Sequence, residues 1–369
     1  MKSRVKIISI ALFMSVFAAY VSGGGRNTEW ERTVETENNI AENNIILELV
    51  GHLGEIEGGD ENSWFYHPSD ITGDSEGNLY VLDGGNHRVQ KFDSQGKYLM
   101  TFGRSGQGPG EFQLPLSIDI GEDGDIFIAD WHNCRLEVFS SQGKYIRSIK
   151  LKTPVPRIRL LHSGEIAIMN PRVGRDNSSY EESKDRSKPF LPLIKIIDES
   201  SNVLRKFGEG TIFKIFPLIN GGNRLVFTND DDDNIYLTFL FQNRIERFTP
   251  DGKLVFKTSR PVPDEMHHRT AKMSNVYTGI TRGIGVDSQD RIWIITCTRR
   301  PTKEEIPPEG LKLTETDRYR LDVIGSNGAF LKSFPLHHFC DDMRIIDDKI
   351  YILDQNRSMR FYIYKISGK

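Results

Sequence analysis

The sequence predicts an all-β fold made of repeated four-stranded units, and three observations predict it. Pro68 to Gly103 reads PSDITGDSEGNLYVLDGGNHRVQKFDSQGKYLMTFG, and Pro115 to Tyr145 repeats it as PLSIDIGEDGDIFIADWHNCRLEVFSSQGKY. Pro68/Pro115, Ile71/Ile118, Asp83/Asp130, Asn86/Asn133, Arg88/Arg135 and Phe92/Phe139 match at one offset of 47 residues (135 − 88). Within each unit, short β-type runs such as Leu79 to Asp83 are separated by turns such as Asp74-Ser75-Glu76-Gly77-Asn78. Strand-and-turn spacing of the same kind continues to the C-terminus. A period of roughly 40–50 residues, dense in short strands, marks the blade of a β-propeller.

Six blades of four antiparallel strands, A inside to D outside, account for the chain. Blade one runs from Pro68 to Gly103 and blade two starts at Pro115. Blade three starts near Arg157, with strands at Ile166 to Met169, Leu193 to Ile197 and Val203 to Phe207. Blade four takes Leu225 to Thr228, Ile235 to Phe239, Asn243 to Phe248 and Lys253 to Lys257. Blade five takes Ile284 to Asp287, Ile292 to Thr296, Arg318 to Ile324 and Ala329 to Phe334. Blade six offers only three strands: Arg344 to Ile346, Ile350 to Asp354 and Phe361 to Ile366. Ile45 to Val50 lacks a blade of its own and is expected to supply the missing strand, closing the ring and removing the open edge.

The pattern GNLYVLDGGNHRVQKFDSQGKYLMTFGRSGQGPGEFQLP closely resembles the NHL-repeat propellers. In that family an Asn-His-Arg segment opens strand C and a GxGPGEF linker bridges blades. Blade two departs from it with Asn133-Cys134-Arg135. The resemblance implies blade architecture and says little about ligand. Propellers of related appearance include peptidyl-hydroxyglycine lyases, streptogramin-type lyases and gluconolactonases, which work with a channel metal. The alternative it implies is therefore a metal-dependent lyase or lactonase with Zn or Ca in the central channel. The lyase-like DGYCNSR segment is not matched; the equivalent stretches are DGGNHR and DWHNCR.

The 369 residues are 37% hydrophobic and 27% charged, ordinary globular composition. A formal net charge of −3 gives no basic field for nucleic acid. Cys134, Cys297 and Cys340 are too few for a disulfide framework or a zinc ribbon. Lys2, Arg4 and Lys6 precede an apolar run from Ile7 to Val21 and small residues from Ser22 to Gly25, the order of a secretory signal peptide. The expected organisation is a signal peptide at 1–23, a polar leader at 24–44 and the propeller at 45–369. An uncleaved anchor is the alternative reading of the first segment. Either way the folded part is expected outside the cytoplasm, secreted or periplasmic, with no membrane span after cleavage.

Candidate sites follow from blade geometry. The D-to-A linkers and B-to-C loops share one face, here the top; the A-to-B and C-to-D hairpins share the other. The long B-to-C insertions, 170–190 and 297–317, bring Arg172 and Arg299 to the top face, and Trp131 and His132 lie on the blade-two B-to-C loop. Strand A lines the channel. Asp70, Ser117, Arg157, Arg224 and Arg344 precede its first apolar position, and Arg282 lies one residue earlier in blade five. Guanidinium groups converging there can clamp an anion such as a carboxylate, a phosphate or a sugar acid. The competing reading pairs them with Asp70 and Asp119 between blades. His67, His132 and His337 could hold a catalytic zinc, against the reading that they are scattered turn histidines.

The acidic run Asp230 to Asp233 aligns with the Asp74 hairpin and lacks calcium-loop spacing, so it is read as a solvated turn. The Asp83/Asn86/Arg88 and Asp130/Asn133/Arg135 sets recur with the repeat. They are therefore expected to hydrogen-bond within the blades, because a unique catalytic site should break the repeat. The expected function is a noncatalytic module without cofactor, binding an anionic small molecule or an extracytoplasmic protein through its top face and channel mouth.

Overall fold

A computed structural model describes residues 44–55, 61–170, 192–211, 223–262, 279–306 and 313–368. The expected signal segment, almost all of the leader, Arg172 and His267-His268 lie outside the described residues. Strand β1 (Ile46–Leu53) comes first. Blade one is β2 (Asp70–Gly73), β3 (Leu79–Asp83), β4 (Arg88–Phe92) and β5 (Tyr98–Phe102). The two-residue strands β6 (Arg104–Ser105) and β7 (Glu111–Phe112) form the linker to blade two, which is β8 (Pro115–Ile120), β9 (Ile126–Asp130), β10 (Arg135–Phe139) and β11 (Tyr145–Lys150).

Blade three is β12 (Ile158–Leu160), β13 (Ile166–Met169), β14 (Pro192–Ile197) and β15 (Val203–Glu209). Blade four is β16 (Leu225–Asn229), β17 (Ile235–Phe239), β18 (Ile245–Phe248) and β19 (Leu254–Thr258). Blade five is β20 (Thr281–Val286), β21 (Ile292–Cys297), β22 (Glu315–Ile324) and β23 (Phe330–His338). Blade six is β24 (Asp342–Ile346), β25 (Lys349–Asp354) and β26 (Arg360–Ser367), with β1 as its outer strand. All six are antiparallel four-stranded sheets, as the repeat predicts.

Alternation along the second strand explains the packing. In β3 all five residues are buried. Leu79 and Val81 pack toward blade six, against Leu353 and Phe361, while Tyr80 and Leu82 pack toward blade two, against Ile118 and Ile128. A strand buried on both faces reads as a near-continuous apolar run, which is why LYVLD, IFIAD and IYLTF carry so little polarity. Among the described residues six apolar clusters fill the six blade-to-blade interfaces. Each fully buried Ile, Leu or Phe contributes roughly 1.5–3 kcal/mol.

The linker between blades one and two shows why its glycines are needed. Glu111 folds back so that its carboxylate accepts from Arg104 Nε at 2.8 Å and from the Gly108 amide at 2.9 Å. A Cβ on Gly106, which sits at φ +154°, would lie 2.0 Å from Glu111 Oε2. The same turn inserts Phe112, fully buried, between the two blades.

Closure follows the expected route with a longer strand than Ile45 to Val50. β1 pairs antiparallel with β26 from Ile46↔Ser367 to Leu53↔Phe361, with a bulge between Leu49 and Gly51. Ile45 is buried in the cluster between blades five and six, and its carbonyl accepts from Lys332 Nζ at 2.9 Å. His338, at the end of β23, stacks on Tyr362 with centroids 3.7 Å apart and shares a 2.8 Å hydrogen bond between Nε2 and the Tyr364 hydroxyl. Blades five and six are thereby joined through side chains as well as apolar packing.

Two outcomes are expected. Deleting Met1 to Asn44 leaves a soluble ring, whereas deleting Met1 to Leu53 exposes β26 as an unpaired edge and leads to aggregation, measured by light scattering and thermal melting. Burial pushes the His338 imidazole down from 6.5 to about 4. The unfolded chain therefore takes up this proton first, so stability is complete above pH 6.5 and falls as pH drops toward 4. The loss is at most about 3 kcal/mol. A melting series should show that fall, and His338→Gln, which keeps a partner for Tyr364, should lack this part of it.

Candidate functional site

Residues that repeat are spent on the blades. Asp83 Oδ1 accepts from the Tyr66 amide at 2.8 Å, while Oδ2 accepts from Asn86 Nδ2 and Arg88 Nε, both at 2.8 Å; Arg88 Nη2 then reaches the Trp64 carbonyl at 3.0 Å. Asp130 does the same with the Gln113 amide, Asn133 and Arg135. Each set ties the incoming linker to the start of the third strand. The residue between Asn and Arg, His87 or Cys134, holds a left-handed backbone at φ 54° and 51°. That position is conformational, so cysteine can replace histidine there.

The A-to-B hairpins carry a second repeated device. Asp74, Asp230 and Asp287 each accept from backbone amides two and four residues on. Each also accepts from a buried aromatic six residues on: Tyr80 OH at 2.9 Å, Tyr236 OH at 2.8 Å and Trp293 Nε1 at 2.7 Å. Asp230 is therefore a buried structural carboxylate that opens the turn, and Asp231 and Asp232 at its centre are exposed, as expected of a solvated turn.

The inner strands depart from the repeat. Alternation puts residues two apart on the same face, and in this way the channel acquires two tiers: Asp70, Ser117, Arg157 and Asp342, then Thr72, Asp119, Arg159 and Arg344. Neighbouring blades are stitched by Ser117 Oγ donating to Asp70 at 2.8 Å, Thr72 Oγ1 to Asp119 at 3.2 Å, and the Leu160 amide to Asp119 at 2.8 Å. Three arginines reach blades that are not their neighbours. Arg157 of blade three pairs with Asp342 of blade six, Arg344 of blade six pairs with Asp119 of blade two, and Arg159 stands 3.5 Å from Asp70 of blade one.

Arg159 and Asp70 are buried, Arg159 being 1% exposed, and the other two pairs are largely withdrawn from solvent. Burial alone would raise Asp70, but Arg159, Arg344 and Arg157 hold its carboxyl below the usual range. Burial raises Asp342 despite Arg157. Burial, with Arg344 and then Arg157 nearby, pushes Arg159 down to about 10. Hydrogen bonding stays incomplete: Arg157 Nη1, Arg159 Nε and Nη2, and Arg344 Nη1 are buried with no acceptor.

A cavity of about 490 Å³ opens at the hairpin end of the channel. Its floor includes Asp119 and Arg344, and its walls are the A-to-B hairpins of blades two to six, contributing Glu122, His162, Asp231, Asp290 and Asp348 among others. Nine of the residues that line it are Asp or Glu, against one arginine and one histidine. His162 leans on this acidity, with Nε2 3.1 Å from Glu122 and Nδ1 3.4 Å from Asp233. This mouth is opposite the top face on which the sequence reading placed the site.

The other expected site residues are dispersed. Arg224 is exposed just before β16, and its carbonyl accepts from the Leu240 amide at 2.9 Å. Arg282 lies on β20 near Cys297, Tyr319 and Asp341. Trp131 is half-buried, its amide 3.3 Å from the Leu114 carbonyl. Arg299 grips both Glu305 oxygens at 2.9 Å and also Asp317, closing its own loop. Burial would raise Glu305, but the bonds from Arg299 and Thr316 hold it down at about 2.

His67 precedes blade one beside Tyr66, His132 is exposed on blade two, and His337 is exposed on β23, the outer strand of blade five and not the approach to strand A. The three are not brought together. Among the described residues no three His, Cys, Asp or Glu side chains are grouped to hold a metal ion. Thr72, Arg159 and Asp342 are the channel residues missed from sequence; each lies two positions from a named residue, and period-2 counting would have found all three.

Breaking one cross-channel pair leaves a buried uncompensated charge. Arg157→Met should cost about 3–5 kcal/mol, and adding Asp342→Leu should recover most of it, read from denaturant midpoints of the four proteins in the cycle. If the double variant is no better than the single one, the pair is not the interaction lost.

Comparison with known proteins agrees with this architecture. The NHL repeat family model matches residues 65–92. No curated protein matches the sequence. A member of the DUF4221 family from Bacteroides vulgatus has a TM-score of 0.60 at 13% identity, covering 89% of this chain and 99% of that one. A Bacteroides fragilis protein described as exported gives 0.57 at 12% identity, covering 88% and 96%. Virginiamycin B lyase from Staphylococcus aureus gives 0.48 at 14% identity, covering 88% and 100%, and at that score carries no argument about chemistry. At these identities the likeness concerns the fold. The chain is a six-bladed β-propeller that carries a match to the NHL repeat at residues 65–92.

Proposed function

We propose that this propeller is an extracytoplasmic, noncatalytic binding module whose ligand enters the mouth framed by the A-to-B hairpins. One observation carries the reading: the cavity at the hairpin end is lined by five blades, and its rim residues Glu122, His162, Asp231, Asp290 and Asp348 lie outside the repeated aspartate device. Side chains that repeat are committed to the blades, so recognition falls to those that do not. The excess of carboxylates favours a ligand carrying positive charge, in place of the simple anion that the channel arginines alone suggest. The basic and apolar N-terminal segment supports export, and the described location of the Bacteroides fragilis protein of the same fold is in keeping with it. Among the described residues no helix is long and apolar enough to cross a membrane.

The test uses cadaverine as a cationic probe. Calorimetry should show saturable binding that weakens as salt rises. The triple variant Glu122→Gln, Asp231→Asn, Asp290→Asn, confined to exposed rim positions, should weaken it about tenfold at roughly 0.2–1 kcal/mol per carboxylate. Equal binding by the variant, or no binding by the native protein, counts against the hairpin mouth.

A further inference from the structure

The mouth is acidic, yet the channel behind it is short of hydrogen-bond acceptors. Four buried guanidinium nitrogens on Arg157, Arg159 and Arg344 have none. Arg344 lines the cavity floor, its Nη2 held by Asp119 and its Nη1 unpaired. Arg159 does not line the cavity; it is almost wholly out of solvent, with only Nη1 satisfied, by the Ile158 carbonyl at 2.7 Å. A buried donor without an acceptor is costly, and a group offering only lone pairs to a planar guanidinium fork is an oxyanion. A free oxyanion would have to pass the rim carboxylates, which repel it. A molecule that also carries an ammonium group passes the rim and is held by it.

We infer that the ligand is a zwitterion, an amine-bearing carboxylic acid of amino-acid type, with its carboxylate on Arg344 and its ammonium among the rim carboxylates. This rests on the hairpin-mouth reading above and specifies the ligand for that site. The floor explains why one Arg344 nitrogen is spent on Asp119 while the other is left open. The rim explains why carboxylates outnumber the single guanidinium group in the lining. No bond is made or broken, in keeping with a binding role.

L-lysine and cadaverine differ only in the carboxylate, so the pair isolates the inferred contact. Both are titrated into the purified full chain by calorimetry at fixed salt. Lysine is expected to bind at least about tenfold more tightly than cadaverine, with acetate alone far weaker than either. Arg344→Lys keeps the charge facing Asp119 and removes the fork; it should reduce the lysine preference to about twofold or less while cadaverine binding persists, which also reports that the variant is folded. Equal affinities for lysine and cadaverine in the native protein overturn the zwitterion and leave the cationic mouth standing. A lysine preference that survives Arg344→Lys also overturns the inference. Binding of neither compound overturns both readings.

Discussion

Every blade in this ring needs two neighbours. The second strand of each sheet is apolar on both faces, so its alternating side chains fill two different interfaces, as Leu79 and Val81 do on one side and Tyr80 and Leu82 on the other. An array of such blades has no stable end unless it meets itself. The pairing of β1 with β26, and the burial of Ile45 beside it, is the contact that lets the first blade serve as the neighbour of the last. The other interfaces presuppose that closure, because without it one apolar face stands in water.

Closure also sets the chemistry at the axis. Six inner strands converge until glycine is required where they touch: a Cβ on Gly283 would lie 2.7 Å from the Met343 backbone nitrogen. Polar side chains forced into that space lose solvent and must satisfy one another. Asp70, Asp119 and Asp342 face Arg157, Arg159 and Arg344, a balanced set of charges drawn from blades one, two, three and six. Balance in charge is not balance in hydrogen bonds, since a guanidinium offers more donors than one carboxylate geometry can meet. The channel is stitched by ion pairs at its centre, and a cavity opens at its hairpin end.

Sequence made the architecture legible because the repeat is covalent: a 47-residue offset survives in the letters, and Asp83, Asn86 and Arg88 return as Asp130, Asn133 and Arg135. Their structural role was legible for the same reason. The cross-channel partners were not. Arg157 and Asp342 are 185 residues apart, and nothing local in either segment encodes which blade stands opposite. Arg344 is legible and Arg159 is not when strand A is followed by one residue per blade, because Arg159 shows only along the alternation of the strand. The histidines failed differently: His337 was placed near the axis because β23 was expected to end at Phe334, and the strand continues to His338. The hairpin-end cavity is not legible in the sequence, because insertions are conspicuous there and draw the expected site to the top face, whereas the floor and walls of the hairpin mouth come from short turns that look ordinary one at a time.

The clasp between β1 and β26 has a kinetic meaning beyond its place in the ring. Ile46 pairs with Ser367, so the contact that completes the last sheet spans nearly the whole described chain. Blades with hairpin connections can form from local contacts as the chain emerges, but the seam waits for the final strand and must meet the entropy of closing the largest loop in the molecule. The ring is therefore a fold whose local pieces are quick and whose completion is late. Time spent open, more than the strength of any one blade, sets how long its unpaired edges are exposed to other chains.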